Sequence, residues 1–592
     1  MSTVQAAGVR WDLPPLFDSP DAARGSIEPA LERSRAFEAR WRGTVDGITP
    51  AHLAEALAEL GAIENLLSRI SSYSMLRKAV DVTSEENRDL GAAVEAAVVQ
   101  AQNALRFFEL EWLALDEEQA TRLAEARELE HDRHYLLSQR RYRDHVLSEP
   151  EERALGERDP AAVRAWQALY AQTTSTIEVP FDSGDGAQPH TIDRLLAYVH
   201  DPRGDVRTGA LETLYQALEQ PAPVLAHCYD SLVADRLVDS RLRSYGADPM
   251  APTHLMNELD AEVVQAMMDA VEQRYPLAQR WFRVKAGLLG LDVLNLADQY
   301  APLGEARGVP YDEGRELVDA AFAGFSPEVQ DIADAFFRDQ RVDAEPRSGK
   351  RGGAFCAPVA QDADAYVLLN YTDTMNDVLT IAHELGHGMH FQLSHASQTP
   401  HSAHTGLALA EVPSTFAEAI AYDHLLANED DAGTRLALAA ERVEAAFATI
   451  FRQTVLARYE QEAYALRAGS QALTVERLND IWLEQNRRYY GDSLELMDGY
   501  RLGWSYIPHF ISTRFYTYAY VFAKLVALAL YGRYRDEGDA FVPGYLDFLA
   551  SGGSAAPAEL LANMGVDLHD PAIWDTAFAE LERLIAAAEA EA

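Results

Sequence analysis

Residues 374–393, TMNDVLTIAHELGHGMHFQL, restrict this chain more than any other stretch. Val378, Ala382, Leu385, Met389 and Leu393 repeat at three- and four-residue spacing, which predicts an amphipathic helix with one buried stripe. Thr374 and Asp377 form a capping-box pattern at its start, with Asp in place of the usual Glu. On the face opposite the stripe, His383 and His387 stand four residues apart and aim two imidazoles at one point. That is the spacing by which a helix offers two ligands to a zinc ion. Glu384 lies about 100° round the helix from His383, beside the metal position and free to act as a general base. Gly386 costs about 1 kcal/mol against Ala in a helix interior, and it is tolerated if the metal or a facing backbone needs the space.

Bulk properties exclude several classes. At 592 residues the chain exceeds one simple core, so two or more domains or lobes are expected. No run of 18 apolar residues is present, so no membrane span is expected. The first residues lack the basic start and apolar core of a signal peptide. The two cysteines, Cys228 and Cys356, are far apart and point to a reduced, cytoplasmic setting. A net charge of −42 argues against nucleic-acid binding, which depends on neutralising phosphates.

Most of the chain reads as helix. A Pro-rich arm at 11–17 and a helix at 26–41 precede two long amphipathic segments, 49–77 and 84–115, with Thr83 and Glu86 as a capping box between them. They predict an antiparallel helical hairpin. Residues 175–181 alternate and lead into a Ser-Gly-Asp-Gly turn, a β excursion that suggests a boundary. The expected domains are therefore 1–190 and 191–592. Residues 351–358 and 365–370 read as two strands just before the metal helix. An edge strand there would either pair with an extended peptide or be an ordinary structural hairpin.

The third metal ligand is sought downstream. The pattern that places a third His six residues after the second fails, because Leu393 stands there. His390, His395, His401 and His404 read as supporting or solvent histidines. Glu411 is the better candidate, because a Glu from a following helix completes a His₂Glu site. Pro413 suits the first turn of that helix. Glu418, two turns on, either accepts a hydrogen bond from a ligand histidine or is a surface carboxylate. Farther on, His509, Tyr516 and Tyr520 share a face if one helix runs from Pro508, while Tyr518 points away. They are either donors to an oxyanion or aromatic core.

Together these residues resemble the thimet oligopeptidase / oligoendopeptidase F family of zinc peptidases. The resemblance rests on His383-Glu-Leu-Gly-His-Gly-Met-His390, Leu409-Ala-Glu-Val-Pro-Ser-Thr-Phe-Ala-Glu418, Ile507-Pro-His-Phe510 with its tyrosines, Gly349-Lys-Arg-Gly-Gly-Ala-Phe-Cys356 and Ala550-Ser-Gly-Gly-Ser554. It implies a mainly α, two-lobed fold with a deep substrate channel and a small β-sheet beside the metal helix. It implies one Zn²⁺ per chain on His383, His387 and Glu411, with Glu384 as base. His509 and one or two tyrosines, here Tyr516 and Tyr520, would serve the transition state, and Gly352, Gly353, Ala354 and Phe355 would hold the substrate backbone. The implied activity is internal cleavage of short unstructured peptides. A zinc carboxypeptidase or dipeptidase and a non-catalytic peptide-binding protein are the alternatives. Nothing in the sequence sets the oligomeric state.

Overall fold

The computed structural model describes residues 6–184, 186–304 and 307–592. The chain is mainly helical, with short strands only, and it divides into two compact units, each made of three segments. Unit 1 comprises Met1–Arg143, Arg307–Asn428 and Leu530–Leu568, and unit 2 comprises Asp144–Ala306, Glu429–Ala529 and His569–Ala592.

In unit 1 the expected hairpin is formed by Pro50–Val80 and Glu85–Ala114, with Ile27–Trp41 packed on both. Its second helix starts one residue later than the capping pattern predicted. Asp81 Oδ1 accepts both the N–H and the hydroxyl of Thr83, at 2.9 and 2.7 Å. Thr83 is thereby committed to the turn, and Ser84 caps the helix by accepting the Asn87 N–H. The N-terminal arm lies along a three-stranded sheet. Trp11 meets Tyr366 edge-on at 6.0 Å, and the Tyr366 hydroxyl donates to the Asp12 carbonyl at 3.0 Å.

That sheet places Tyr366–Leu368 in the middle, parallel to Val342–Asp343 and antiparallel to Phe355–Ala357. Strand geometry begins only at Phe355. Gly353 has φ +79°, and Asn370 Nδ2 donates to the carbonyls of Arg351 and Gly353 at 2.9 and 2.7 Å, which holds 351–353 as a loop. Beneath it the buried Lys350 Nζ bonds Asp343 Oδ1 at 2.7 Å and the carbonyls of Glu345 and Leu369. One cation thus ties three backbone segments where an unpaired amine would be costly.

The helix Met375–Ser397 packs against the sheet and, most extensively, against Val412–Asn428. The Thr374–Asp377 capping box is present. Val378, Ala382, Leu385 and Met389 are buried as predicted, and Leu393 is only half-buried because the stripe drifts off the core near the helix end. Gly386 answers to close packing. A Cβ there would lie 2.6 Å from Ser414 Cα and 2.7 Å from the Pro413 carbonyl oxygen.

Unit 2 contains the β excursion, Glu178–Phe181 paired antiparallel with Gln188–Thr191. The turn residue Asp185 between them lies outside the described residues. The rest is helical around an aromatic core that includes Trp281, Phe282, Phe451, Tyr459, Trp482 and Tyr489. Ala432–Phe447 and Gln453–Ala468 are joined by a π-helical turn, Ala448–Arg452.

Candidate metal centre

Packing of the two helices at Gly386 fixes the metal centre in unit 1. Close approach brings the start of Val412–Asn428 against the histidine-bearing turns of Met375–Ser397. Glu411 sits at the junction between the short helix Leu407–Ala410 and that second helix. Its Oε2 lies 3.4 Å from His383 Nε2 and 3.3 Å from His387 Nε2. Ser414 Oγ donates to the same oxygen at 3.0 Å. The three ligand atoms all lie within 4.8 Å of one another. Zinc–ligand bonds of about 2.0–2.1 Å at tetrahedral angles put neighbouring ligand atoms about 3.3 Å apart, so the triad fits zinc in donor type and, for the two Glu411–histidine pairs, in spacing.

Glu418 Oε2 lies 3.5 Å from His383 Nδ1, which orients that ring so that Nε2 faces Glu411. Burial works against a cation at His383, but hydrogen bonds to Glu411 and Glu418 overcome it and raise its pKa to about 10. Burial pushes Glu411 up, yet the two imidazoles hold it below the ordinary carboxylate range.

Glu384 is buried, and burial raises its carboxyl above the ordinary range while the neighbouring imidazoles work the other way. A hydrogen bond from the Cys356 backbone also acts on it. The Phe355–Ala357 strand that carries Cys356 is at the sheet edge, with one ladder partner. This contact escaped sequence reasoning, because nothing in a sequence says which backbone N–H of an edge strand meets a given carboxylate. Of the residues expected to hold substrate, only Phe355 belongs to that strand, while Gly352 and Gly353 are exposed in the loop before it.

The four other histidines are not solvent groups as a set. His390 is buried, and burial pushes its pKa down to about 3. His401 is held by Glu64 at 3.2 Å, by the Leu57 carbonyl at 3.1 Å and by stacking on Tyr135. It fastens the loop after the metal helix to the N-terminal hairpin.

His509, Tyr516 and Tyr520 belong to unit 2. They do not share one helix. His509–Ser512 ends, Phe515 takes φ +56°, and a new helix runs from Thr517 to Glu537. Both oxygens of the buried Glu460 accept the Phe515 N–H at 3.1 Å, which secures the bend. The three rings still cluster. His509 stacks on Tyr516 at 6.2 Å and meets Tyr520 edge-on at 5.9 Å, with Tyr516 and Tyr520 4.7 Å apart. Tyr518 points away as expected, with its hydroxyl 3.0 Å from Asn257 Nδ2 and 3.3 Å from His254 Nδ1.

The chain resembles known proteins in sequence and in fold. The family model described as Peptidase family M3 matches residues 197–580, and one described as Oligopeptidase F matches residues 111–178. The chain is 26% identical over 566 residues to Oligopeptidase PepF of Bacillus subtilis (strain 168), covering 95% of this chain and 84% of that protein. It is 27% identical to an Oligoendopeptidase F homolog of Lactococcus lactis subsp. lactis (strain IL1403), over 91% of this chain and 92% of the other. Among solved structures it is similar in fold to oligoendopeptidase-F from Enterococcus faecium, with TM-score 0.72, 22% identity and coverage of 96% and 98% of the two chains. A crystal structure from Chlamydophila abortus superposes with TM-score 0.87 at 23% identity, covering 100% of this chain and 99% of that one.

Proposed function

The chain belongs to peptidase family M3, whose members are metallopeptidases, and from that premise we propose that it is a zinc-dependent oligoendopeptidase that cuts internal bonds of short unstructured peptides. The observation that carries the zinc reading is the triad of His383, His387 and Glu411, in which the Glu411 oxygen lies as far from each imidazole nitrogen as neighbouring zinc ligands do. A zinc ion held there would polarise the scissile carbonyl and lower the pKa of water.

The remaining chemistry falls to the protein's own side chains. Glu384 takes the proton of the attacking water and delivers it to the leaving amine. Glu418 holds His383 by its Nδ1 in the ligating orientation. His509, Tyr516 and Tyr520 donate to the oxyanion as it develops. The loop 352–354 and the edge strand at Phe355 hold the substrate backbone. Short peptides are the substrates and the cytoplasm is the setting. Among the described residues no helix is long and apolar enough to cross a membrane.

The test is digestion of a peptide mixture of graded length by the zinc-loaded protein, with and without chelator, read by mass spectrometry. Internal cuts confined to short peptides and abolished by chelator are expected. Terminal trimming alone would replace the endopeptidase with a carboxypeptidase or dipeptidase. Glu384→Gln should retain zinc and lose nearly all turnover, and a variant that still cuts at the native rate removes Glu384 as the base.

A further inference from the structure

Asn370 occupies the joint between the central strand Tyr366–Leu368 and the metal helix. Its own backbone is fixed on both sides. The Leu369 N–H donates to the Asp343 carbonyl at 2.8 Å, and the Tyr371 N–H donates to the Ala344 carbonyl at 3.1 Å. Just beyond, Thr374 caps the helix that carries His383 and His387. From this fixed point the side chain reaches sideways, and Nδ2 donates to the Arg351 carbonyl at 2.9 Å and to the Gly353 carbonyl at 2.7 Å. Carbonyl oxygens can only accept, so the amide nitrogen must face both, and its two hydrogens are spent on the loop.

The N-terminal hairpin holds the same loop from its other end. The Arg351 N–H donates to the Ala79 carbonyl at 2.7 Å, and the Val82 N–H donates to the Gly349 carbonyl at 2.8 Å. Gly352 and Gly353 lie beyond those anchors, exposed, and among the described residues Asn370 is the hydrogen-bond donor that holds them. Glycine loses more freedom on ordering than any other residue. A Gly-Gly stretch left loose would be ordered only when a peptide binds, and that cost is subtracted from affinity. The loop also runs directly into the edge strand, with the Arg351 guanidinium over the Phe355 ring at 5.5 Å from its centroid.

We infer that Asn370 is a positioning residue for the bound peptide. It fixes residues 351–353, and with them the entry to the edge strand Phe355–Ala357, at a set place relative to the metal helix. The inference rests on the peptidase reading, and every residue it uses belongs to unit 1. Asn370 acts through the loop's carbonyls and does no chemistry itself. A loop that holds the peptide equally in the ground and transition states contributes uniform binding, so its loss raises KM and spares kcat.

The test is Asn370→Asp, in which a carboxylate oxygen replaces Nδ2 and faces the two carbonyls. Hydrogen exchange across 349–355, read by mass spectrometry on the zinc-loaded protein without peptide, should quicken by about 10-fold. For the short peptide of a mixture that binds most tightly, KM should rise by about 10-fold while kcat stays within about twofold of wild type. Calorimetry on the zinc-loaded Glu384→Gln background should show the same loss of affinity. A merely structural role would lower the active fraction, and so kcat, and leave KM in place. Asn370→Ala removes the donors without adding a charge and carries the same expectation if the Asp variant does not fold. Gly353→Ala strains the loop at φ +79° with Asn370 intact, and should raise KM likewise. Unchanged exchange in the Asn370 variants would mean that Asn370 does not hold the loop, and faster exchange with native KM would mean that the loop does not hold the peptide. Either result overturns the inference. Failure of the peptidase reading shows in the wild-type protein instead. Peptide bound but never cut leaves the affinity loss to decide the inference, and no peptide bound at all ends both.

Discussion

A glycine decides the geometry of the metal centre. Gly386 is the point where the Met375–Ser397 and Val412–Asn428 helices nearly touch, and the residues it faces, Pro413 and Ser414, lie two and three positions after Glu411. Gly386→Ala would gain about 1 kcal/mol of helix propensity. Its Cβ would also sit 2.6 Å from Ser414 Cα, a backbone atom that cannot swing aside. Overpacking of this kind costs about 1–3 kcal/mol and should win. The variant should melt lower and bind zinc more weakly, because Glu411 is carried away with Ser414. Chemical denaturation and competitive zinc titration would read both effects, and a variant with native zinc affinity would show that Glu411 is positioned by something else. At this scale the sequence was legible. The helix that carries His383, Glu384 and His387 followed from its cap and stripe, and a facing backbone is one of the two reasons by which Gly386 could be tolerated. The Ser414 bond to Glu411 was not legible, since it depends on how a turn closes.

Elements were legible where one pattern governed them and failed where two competed. The metal helix has its cap, its stripe and its glycine in agreement. The stretch from Pro508 reads as continuous helix because its apolar pattern never breaks, yet a tertiary contact bends it: Glu460, from another helix, takes the Phe515 N–H at φ +56°. The His509, Tyr516 and Tyr520 cluster survives the bend, so its function can be tested apart from helix continuity. Tyr516→Phe and Tyr520→Phe keep the rings and remove only the hydroxyls. If they serve the oxyanion, kcat should fall by about 100-fold for the essential one with KM little changed. Wild-type kinetics in both variants would leave the cluster as core packing. Glu460 itself should make the bend pH-sensitive. Burial raises its pKa to about 8, against opposing contributions from the Phe515 N–H, Arg514 and Arg236. A carboxyl raised on folding favours the native state while protonated, so its contribution is full below the unfolded value of about 4.3 and lost as pH rises towards 8. Glu460→Gln keeps an acceptor for Phe515 and removes the titration. Its stability relative to wild type should therefore improve between pH 5 and 8, and a difference that stays flat across that range would exclude this role.

For the whole molecule, the mainly helical class, the β excursion and the small sheet beside the metal helix were all readable as local patterns. The composition of the two compact units was not, because each is assembled from three separate segments and only tertiary contact defines them. The metal centre, by contrast, joins ligands only 28 residues apart, on two helices already packed through Gly386. That leads to a prediction about metal removal. Packing through Gly386 and the bonds from Glu418 and Ser414 hold these side chains in place by protein contacts alone. Stripping zinc should then leave the helix content unchanged at 25 °C. It should still lower the melting temperature, because a ligand that binds only the native state stabilises it by about 4 kcal/mol at 1,000 times its Kd. Far-ultraviolet dichroism and thermal scans over a zinc series separate the two effects. Loss of helix on chelation would mean that the metal folds the site, and a melting point indifferent to zinc would mean that His383, His387 and Glu411 do not hold it.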